Sequence, residues 1–330
     1  IIPRGHSSVM MALNYLSFIV SGFFWGKFTS LKADKVFTYE VSPMTQALVG
    51  IWYAKRRDIP SILYVMDLWP ENVRYAGGIK NKKILALVGK VVDYIYRNSD
   101  VILTSSRSFI SAIKERGFAS RDIRFWPQYA EEWYKPMSQK AVVPEEIPDD
   151  GVFNIVFAGN IGVAQGLEIL PKCACVLKKK NIKARFNVIG DGRFKETLQT
   201  EVIDNCVMEY FNFIAKKPAT DIPKYLSACD AALVSLAPNE IFRMTLPAKL
   251  QSYFACGIPV LVCADGESQE VVKNAQAGIA VDAGDYVGFA NAIEKMCGLT
   301  KGELSEMGQN ARRYFESHFE KQKLLDQIDV

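Results

Sequence analysis

Short β-rich runs alternate with longer helical patterns twice along this chain, and nothing else in the sequence constrains the fold as strongly. A helix between successive strands carries the chain back to the same end of the sheet, so the pattern specifies parallel sheets covered by helices. The first series is "KVFTYE" (35–40), "PSILYVMD" (60–67), "DVILTSS" (100–106) and "IRFWPQ" (123–128), with helix-like "MTQALVGIWYAKRR", "KKILALVGKVVDYIYRN" and "SRSFISAIKERG" between. The second is "FNIVFAGNIG", "KARFNVIGDG", "CVMEYFNFI", "DAALVSLAP", "GIPVLVCAD" and "GIAVDAG". "MSQKAVVPEEIPDDG" (137–151), rich in prolines and acids, interrupts the alternation and reads as a linker. With 330 residues, more than one compact core usually holds, the chain divides into a domain over 1–136, a linker over 137–150 and a second domain over 151–330. The first domain is short of strands, with about four where a doubly wound domain commonly has five or six.

The residue inventory excludes several chemistries. Hydrophobic residues make up 49% and charged residues 23%, the balance of a globular chain and not of a disordered or fibrous one. Histidine occurs only at His6 and His318, too few for a His-rich zinc site or a Ser-His-Asp triad; neither a metal nor a cofactor is expected. Seven cysteines (Cys173, Cys175, Cys206, Cys229, Cys256, Cys263, Cys297) form no C-x-x-C pair and read as reduced core residues in a cytosolic chain.

Charge is uneven: residues 1–136 carry 19 Lys+Arg against 11 Asp+Glu, and the remainder 21 against 25. A basic first half faces an anionic surface or ligand, either phosphates or acidic lipid headgroups. No nucleic-acid motif accompanies it, so nucleic acid is not expected as a partner. The opening "IIPRGHSSVMMALNYLSFIVSGFFWGKF" is flanked by Arg4 and Lys27, and Asn14, Ser17 and Ser21 give it one thin polar stripe. It reads as a buried or membrane-interface helix in preference to a span, which needs roughly 20 apolar residues. "KNKKILALVGKVVDYIYR" (80–97) is either a core helix with a solvated basic face or a membrane-docking helix.

Two Gly-rich turns follow strands of the second half. "FAGNIGVAQGLEIL" (157–170) runs from an apolar strand through Gly159, Asn160 and Gly162 to Gln165 and Gly166, and "NVIGDGRFKETL" (187–198) turns at Asp191. Each is a tight structural turn or a phosphate cradle at a helix mouth. "TLPAKLQSYFACGIPVL" (245–261) starts a helix at Pro247 with Lys249 in its first turn. Helix N-termini disfavour cations unless an anion compensates them, so Lys249 marks an anion site.

"YVMDLWPENV" (64–73), "FAGNIGVAQGLE" (157–168), "VIGDG" (188–192) and "TLPAKLQSYFACGIPVL", in this order and spacing, resemble glycosyltransferase family 4. The likeness extends to bacterial surface-polysaccharide enzymes similar to the N-acetylfucosaminyl transferases of O-antigen (lipopolysaccharide) and capsule assembly. It implies an α/β GT-B fold, two Rossmann-like domains facing across a cleft, with donor on the second and acceptor on the first. It also implies metal-independent retention of anomeric configuration and a last helix packing back on the first domain. The family's opening strand and Gly-rich loop are missing here, so the chain reads as N-terminally incomplete.

Carried over by the resemblance, the Gly159 to Gly166 turn faces the donor diphosphate, with Asn160 and Gln165 where the family has Arg and Lys. Arg243 and Lys249 are then the candidate cations, Asp191 stands in the second turn, and Phe213 lies where backbone groups meet the nucleotide base. The family's paired glutamates correspond to Met244 and Ser252, leaving Ser252 for the ribose. Asp67 is the candidate catalytic residue, orienting or deprotonating the acceptor hydroxyl, or else it is a turn or helix cap; Met66 precedes it and Trp69 is a packing residue. The expectation is a cytoplasmic enzyme, peripheral at the inner face of the plasma membrane. It would move a hexosyl or N-acetylhexosaminyl group from a nucleotide diphosphate sugar, UDP-linked, to a polyprenyl-diphosphate-linked saccharide beside an anionic membrane surface. The alternatives are a UDP-sugar 2-epimerase and an inactive nucleotide-sugar-binding subunit.

Overall fold

The computed structural model describes residues 2–3, 8–75, 78–137 and 144–328, with backbone alone at Ser8 and Val9. Arg4, His6 and linker residues 138–143 lie outside the described residues. The chain divides into two compact units, Ile1–Trp126 and Pro127–Val330. The division falls before the acidic, proline-rich stretch because Ala130 and Tyr134 pack on the second unit's core, as does Ile147 within that stretch.

The first unit runs α1 (Ser8–Phe28), β1 (Val36–Glu40), α2 (Ala47–Arg57), β2 (Ser61–Val65), α3 (Glu71–Tyr75), α4 (Lys82–Arg97), β3 (Val101–Thr104), α5 (Arg107–Ile113) and β4 (Asp122–Phe125). Its four strands pair in parallel in sequence order. Every residue of β2 and β3 is buried, as expected of parallel strands covered on both faces. α1 packs on α2 through a narrow small-residue face: a Cβ on Gly22 would fall 2.3 Å from Val49 Cγ2. That close seat leaves Leu16, Val20, Phe24 and Phe28 exposed, so α1 is a surface helix and not the fully buried alternative. No described helix is long and apolar enough to cross a membrane.

The second unit continues with β5 (Phe153–Asn160), α6 (Ile169–Lys179), β6 (Ala184–Asp191), α7 (Lys195–Asp204), β7 (Phe211–Ile214), α8 (Ile222–Ser227), β8 (Ala231–Ser235), α9 (Glu240–Arg243), α10 (Ala248–Cys256), β9 (Val260–Cys263), α11 (Glu267–Ala275), β10 (Gly278–Val281), α12 (Tyr286–Cys297), α13 (Lys301–His318) and α14 (Lys321–Asp326). Six parallel strands order as β10-β9-β8-β5-β6-β7. The chain therefore builds outward from β5 to β7, then returns to β8 on the other side of β5. Loops leaving β5 and β8 diverge, and a crevice opens at their carboxyl ends.

Two details differ from the sequence expectation. In "CVMEYFNFI" only Phe211–Ile214 is strand; Cys206 takes a left-handed φ of 54° after α7 and Met208–Tyr210 is a 3-10 turn. All seven cysteines are free, but Cys206, on that connection, is exposed and not core.

An asparagine ladder ties β5, β6 and β7 together inside the second unit. Asn187 is fully buried; its amide donates to Asn154 Oδ1 (3.0 Å) and its Oδ1 accepts from Asn212 Nδ2 (2.9 Å). Replacing one member strands its neighbours' polar atoms away from water. Asn187→Leu should destabilise the protein by about 1–3 kcal/mol in chemical denaturation, and a change below experimental error would mean that the ladder is dispensable.

Candidate functional site

Both units gather polar groups at the carboxyl edges of their parallel sheets. In the second unit a cavity of about 530 Å³ opens between the ends of β5 and β6, the residues after β7, and the first turns of α10. A larger cavity of about 630 Å³ lies by Asp230 and Pro259, which precede β8 and β9. That is the opposite edge of the sheet, so strand polarity favours the smaller one as the site.

The cavity is organised around Lys249. Gly159 and Gly190 face each other in register, with φ of 146° and 145°. A Cβ on Gly159 would fall 2.6 Å from Lys249 Cε, and one on Gly190 would strike Gly159 O at 1.9 Å. Only glycine lets the two strands end this closely under the lysine. Lys249 Nζ lies 4.5 Å from the centre of the Phe157 ring and donates to Gln165 Oε1. No carboxylate pairs with it among the described contacts, and burial lowers its pKa to about 8. Tyr253, one turn further along α10, accepts from Ala158 N–H at 3.1 Å and fixes the helix to β5. A desolvated ammonium in the first turn of a helix, beside two glycine-lined strand ends, has the chemistry to meet an anion.

Of the residues named from the sequence, Gly159, Asn160, Asp191, Lys249 and Ser252 line this cavity, and Gln165 joins it through Lys249. Gly162, Gly166, Phe213 and Arg243 do not line it. Gly162 and Gly166 bracket the 3-10 turn Val163–Gln165. Phe213 packs against the core with its ring 5.7 Å from Phe211. Arg243 ends α9 and presses its carbonyl and side-chain stem on Gly266. Glu131, Tyr134, Lys216 and Lys217 line the cavity without having been named. The two lysines follow β7 directly and were findable from strand polarity, whereas Glu131 and Tyr134 precede the acidic, proline-rich stretch and carry no local signal.

In the first unit Asp67 follows β2 and bonds to a residue after β1. Ser42 N–H and Ser42 Oγ both donate to Asp67 Oδ2, at 2.9 and 2.6 Å. The same hydroxyl accepts from Trp69 Nε1 and Asn72 Nδ2, each at 3.1 Å, so its one proton is directed to Asp67. Asp67 thus ties two loops together instead of capping α3, and Trp69 serves that network as well as packing. Beneath it Glu40 is fully buried; its Oε2 accepts Asp67 N–H at 3.4 Å while Oε1 has no partner. Burial, reinforced by the Asp67 charge, pushes the Glu40 carboxyl well above its ordinary value. No group of three or more metal-ligating residues occurs among the described residues.

Two parallel-sheet α/β units with a carboxyl-edge site in the second define the GT-B class of glycosyltransferase folds. HepE of Anabaena, solved in complex with UDP, superposes with a TM-score of 0.72 at 16% identity, covering 95% of this chain and 80% of that one. Sucrose-phosphate synthase of Thermosynechococcus elongatus gives a TM-score of 0.78 at 15% identity, covering 99% and 80%. Residues 152–298 match the family described as Glycosyl transferases group 1. A putative colanic acid biosynthesis glycosyl transferase of Escherichia coli is 24% identical over 284 residues, 81% of this chain and 67% of the relative. D-inositol 3-phosphate glycosyltransferase of Pseudarthrobacter chlorophenolicus is 24% identical over 152 residues, 45% of this chain, and the match spans only 35% of that relative.

Lys249 gives the site a measurable signature. Its pKa of about 8 lies below the ordinary 10.5, so between these values the unfolded chain binds more protons and stability rises with pH. An anion binds the charged form, so its affinity falls as pH rises past 8. UDP affinity measured by calorimetry should therefore drop several-fold between pH 7 and 9. Lys249→Met should bind UDP at least tenfold more weakly, without that pH dependence, while melting higher at pH 7. Equal UDP affinity in the variant would remove Lys249 from the site.

Proposed function

We propose that this protein is a retaining, metal-independent glycosyltransferase that moves a sugar from a UDP-linked donor to a polyprenyl-diphosphate-linked saccharide in bacterial surface polysaccharide synthesis. The observation that carries the reading is the desolvated Lys249 over the paired Gly159 and Gly190 ends. As the anomeric bond breaks, negative charge grows on the departing diphosphate. A cation already stripped of water, at a helix mouth, stabilises that charge without reorganising at the moment of reaction. The complexes of HepE with UDP and UDP-glucose support a nucleotide diphosphate donor, and the colanic acid relatives support a polysaccharide product. Retention and the lipid-linked acceptor rest on the family likeness.

Asp67 is the acceptor-side group in this reading. Its Oδ2 is held by both Ser42 donors, which leaves Oδ1 available to an acceptor hydroxyl as general base or orienting group. Incubation of the protein with a panel of nucleotide sugars and bacterial membrane extract tests the reading through UDP release coupled to label transfer. Asp67→Asn should cut transfer about a hundredfold with UDP affinity near that of the parent; a fall in activity only in proportion to a lowered Tm would leave Asp67 a structural link. Sugar interconversion without an acceptor would instead identify an epimerase, and UDP binding without turnover an inactive binding subunit.

The membrane-facing part of the proposal rests on the first unit's surface. Leu16, Val20, Phe24 and Phe28 of α1, and Ile84 and Leu87 of α4, are large apolar side chains left exposed. Lys27, Lys80, Lys82, Lys83 and Lys90 are exposed in the same elements or just before α4. Apolar side chains among lysines suit insertion at an anionic bilayer surface, each lysine adding about 1 kcal/mol. The protein should co-sediment with vesicles containing anionic lipid, and lose much of that binding in high salt and on changing Lys80, Lys82 and Lys83 to Gln. Binding indifferent to both would exclude the electrostatic contribution.

A further inference from the structure

The donor cavity holds a carboxylate that phosphate binding does not explain. Glu131 lines the cavity with Tyr134 and Ser252, on a turn closed by a 2.9 Å bond from Tyr134 N–H to Glu131 O. Tyr134 anchors this turn to the second unit's core. Burial, reinforced by the Glu131 charge, pushes the Tyr134 hydroxyl above its ordinary pKa, and Ser252 lies beside that hydroxyl. Two of the other charged groups around the cavity are already engaged, whereas Lys216, like Glu131, has no partner among the described contacts. Asp191 Oδ1 accepts Gly192 N–H at 2.8 Å, and Lys217 pairs with Glu146. The Glu131 side chain is exposed and has no hydrogen bond or ion pair among the described contacts.

An uncommitted carboxylate repels a diphosphate unless the ligand brings hydroxyl donors to it. Lys249 and Ser252 stand one turn apart on one face of α10, roughly 5–6 Å between their Cβ atoms. A ligand with its diphosphate at Lys249 therefore presents its next chemical group near Ser252, Tyr134 and Glu131. In a nucleoside diphosphate that group is the ribose, whose vicinal hydroxyls can both donate to one carboxylate. Ser252 offers only a single small hydroxyl.

We propose that Glu131 binds the ribose 2′,3′-diol of the donor nucleotide, making it the specificity-determining carboxylate of a site whose helix α10 supplies only Ser252 for that task. The inference rests on the donor-pocket reading and deepens it. Lys249 holds the phosphates and Glu131 selects ribonucleotides, so the two contributions are separable.

Calorimetry with UDP, 2′,3′-dideoxy-UDP and inorganic pyrophosphate on the parent protein and Glu131→Ala separates them, with Tm recorded for both. The parent should bind UDP about tenfold more tightly than the dideoxy analogue, the worth of a charge-assisted hydrogen bond. Glu131→Ala should bind the two alike, and bind pyrophosphate at least as tightly as the parent does. A preference for UDP that survives in Glu131→Ala overturns the proposal, as does equal weakening of UDP and dideoxy-UDP. A defect seen with UDP-glucose but not with UDP would also overturn it, because Glu131 would then read the transferred sugar. A parent protein that binds neither UDP nor pyrophosphate overturns the donor-pocket reading itself, an outcome distinct from the others.

Discussion

A lysine ammonium held out of water, with no carboxylate partner among the described residues, is the constraint around which the second unit is arranged. Burial lowers its pKa to about 8, a standing cost that cation–π contact with Phe157 and one amide oxygen offset only in part. The surrounding features follow from accommodating it. Gly159 and Gly190 leave room for its stem, Pro247 starts the helix that delivers it, and Tyr253 holds that helix against β5. A hydrophobic residue would sit there more comfortably. The same desolvation would strengthen its attraction to an incoming anion.

Sheet topology explains why this lysine reaches a cavity at all. In an all-parallel sheet every strand ends on the same edge, and helices following the strands begin there with unpaired N–H groups. The order β10-β9-β8-β5-β6-β7 adds a divergence beside β5, so the turns of β5 and β6 and the start of α10 surround open space instead of each other. The larger cavity near Asp230 lies on the edge where strands begin, and it lacks this convergence.

Much of this was legible in the sequence, because the 2-to-3.6 alternation of hydrophobic periods dictates the strands and their parallel order. Lys249 was legible for a different reason, being a local electrostatic anomaly in a helix first turn. The direction of the Phe213 ring was legible too: it lies two residues from Phe211 and so faces the same side of β7 as that buried ring. Glu131 and Tyr134 could not be read, since their position depends on residues 127–137 folding onto the second unit, a tertiary choice with no periodic signal. The same holds for Arg243, which α9 turns toward Gly266.

The first unit solves a related electrostatic problem with carboxyl groups. Glu40 ends β1 and Asp67 follows the neighbouring β2, and two adjacent negative charges on a half-buried edge would repel. Burial separates their roles. Glu40, fully enclosed and with one oxygen unpartnered, is driven toward its neutral form, while Asp67 receives two hydrogen bonds from Ser42. The Ser42 hydroxyl is oriented in turn by Trp69 and Asn72, so three side chains, from the loops after β1 and β2 and from α3, determine where a single carboxylate points. An Asp serving only to terminate a strand would need none of that arrangement, and burial that favours the neutral form of Glu40 beneath it eases the conflict between the two carboxyls at that edge.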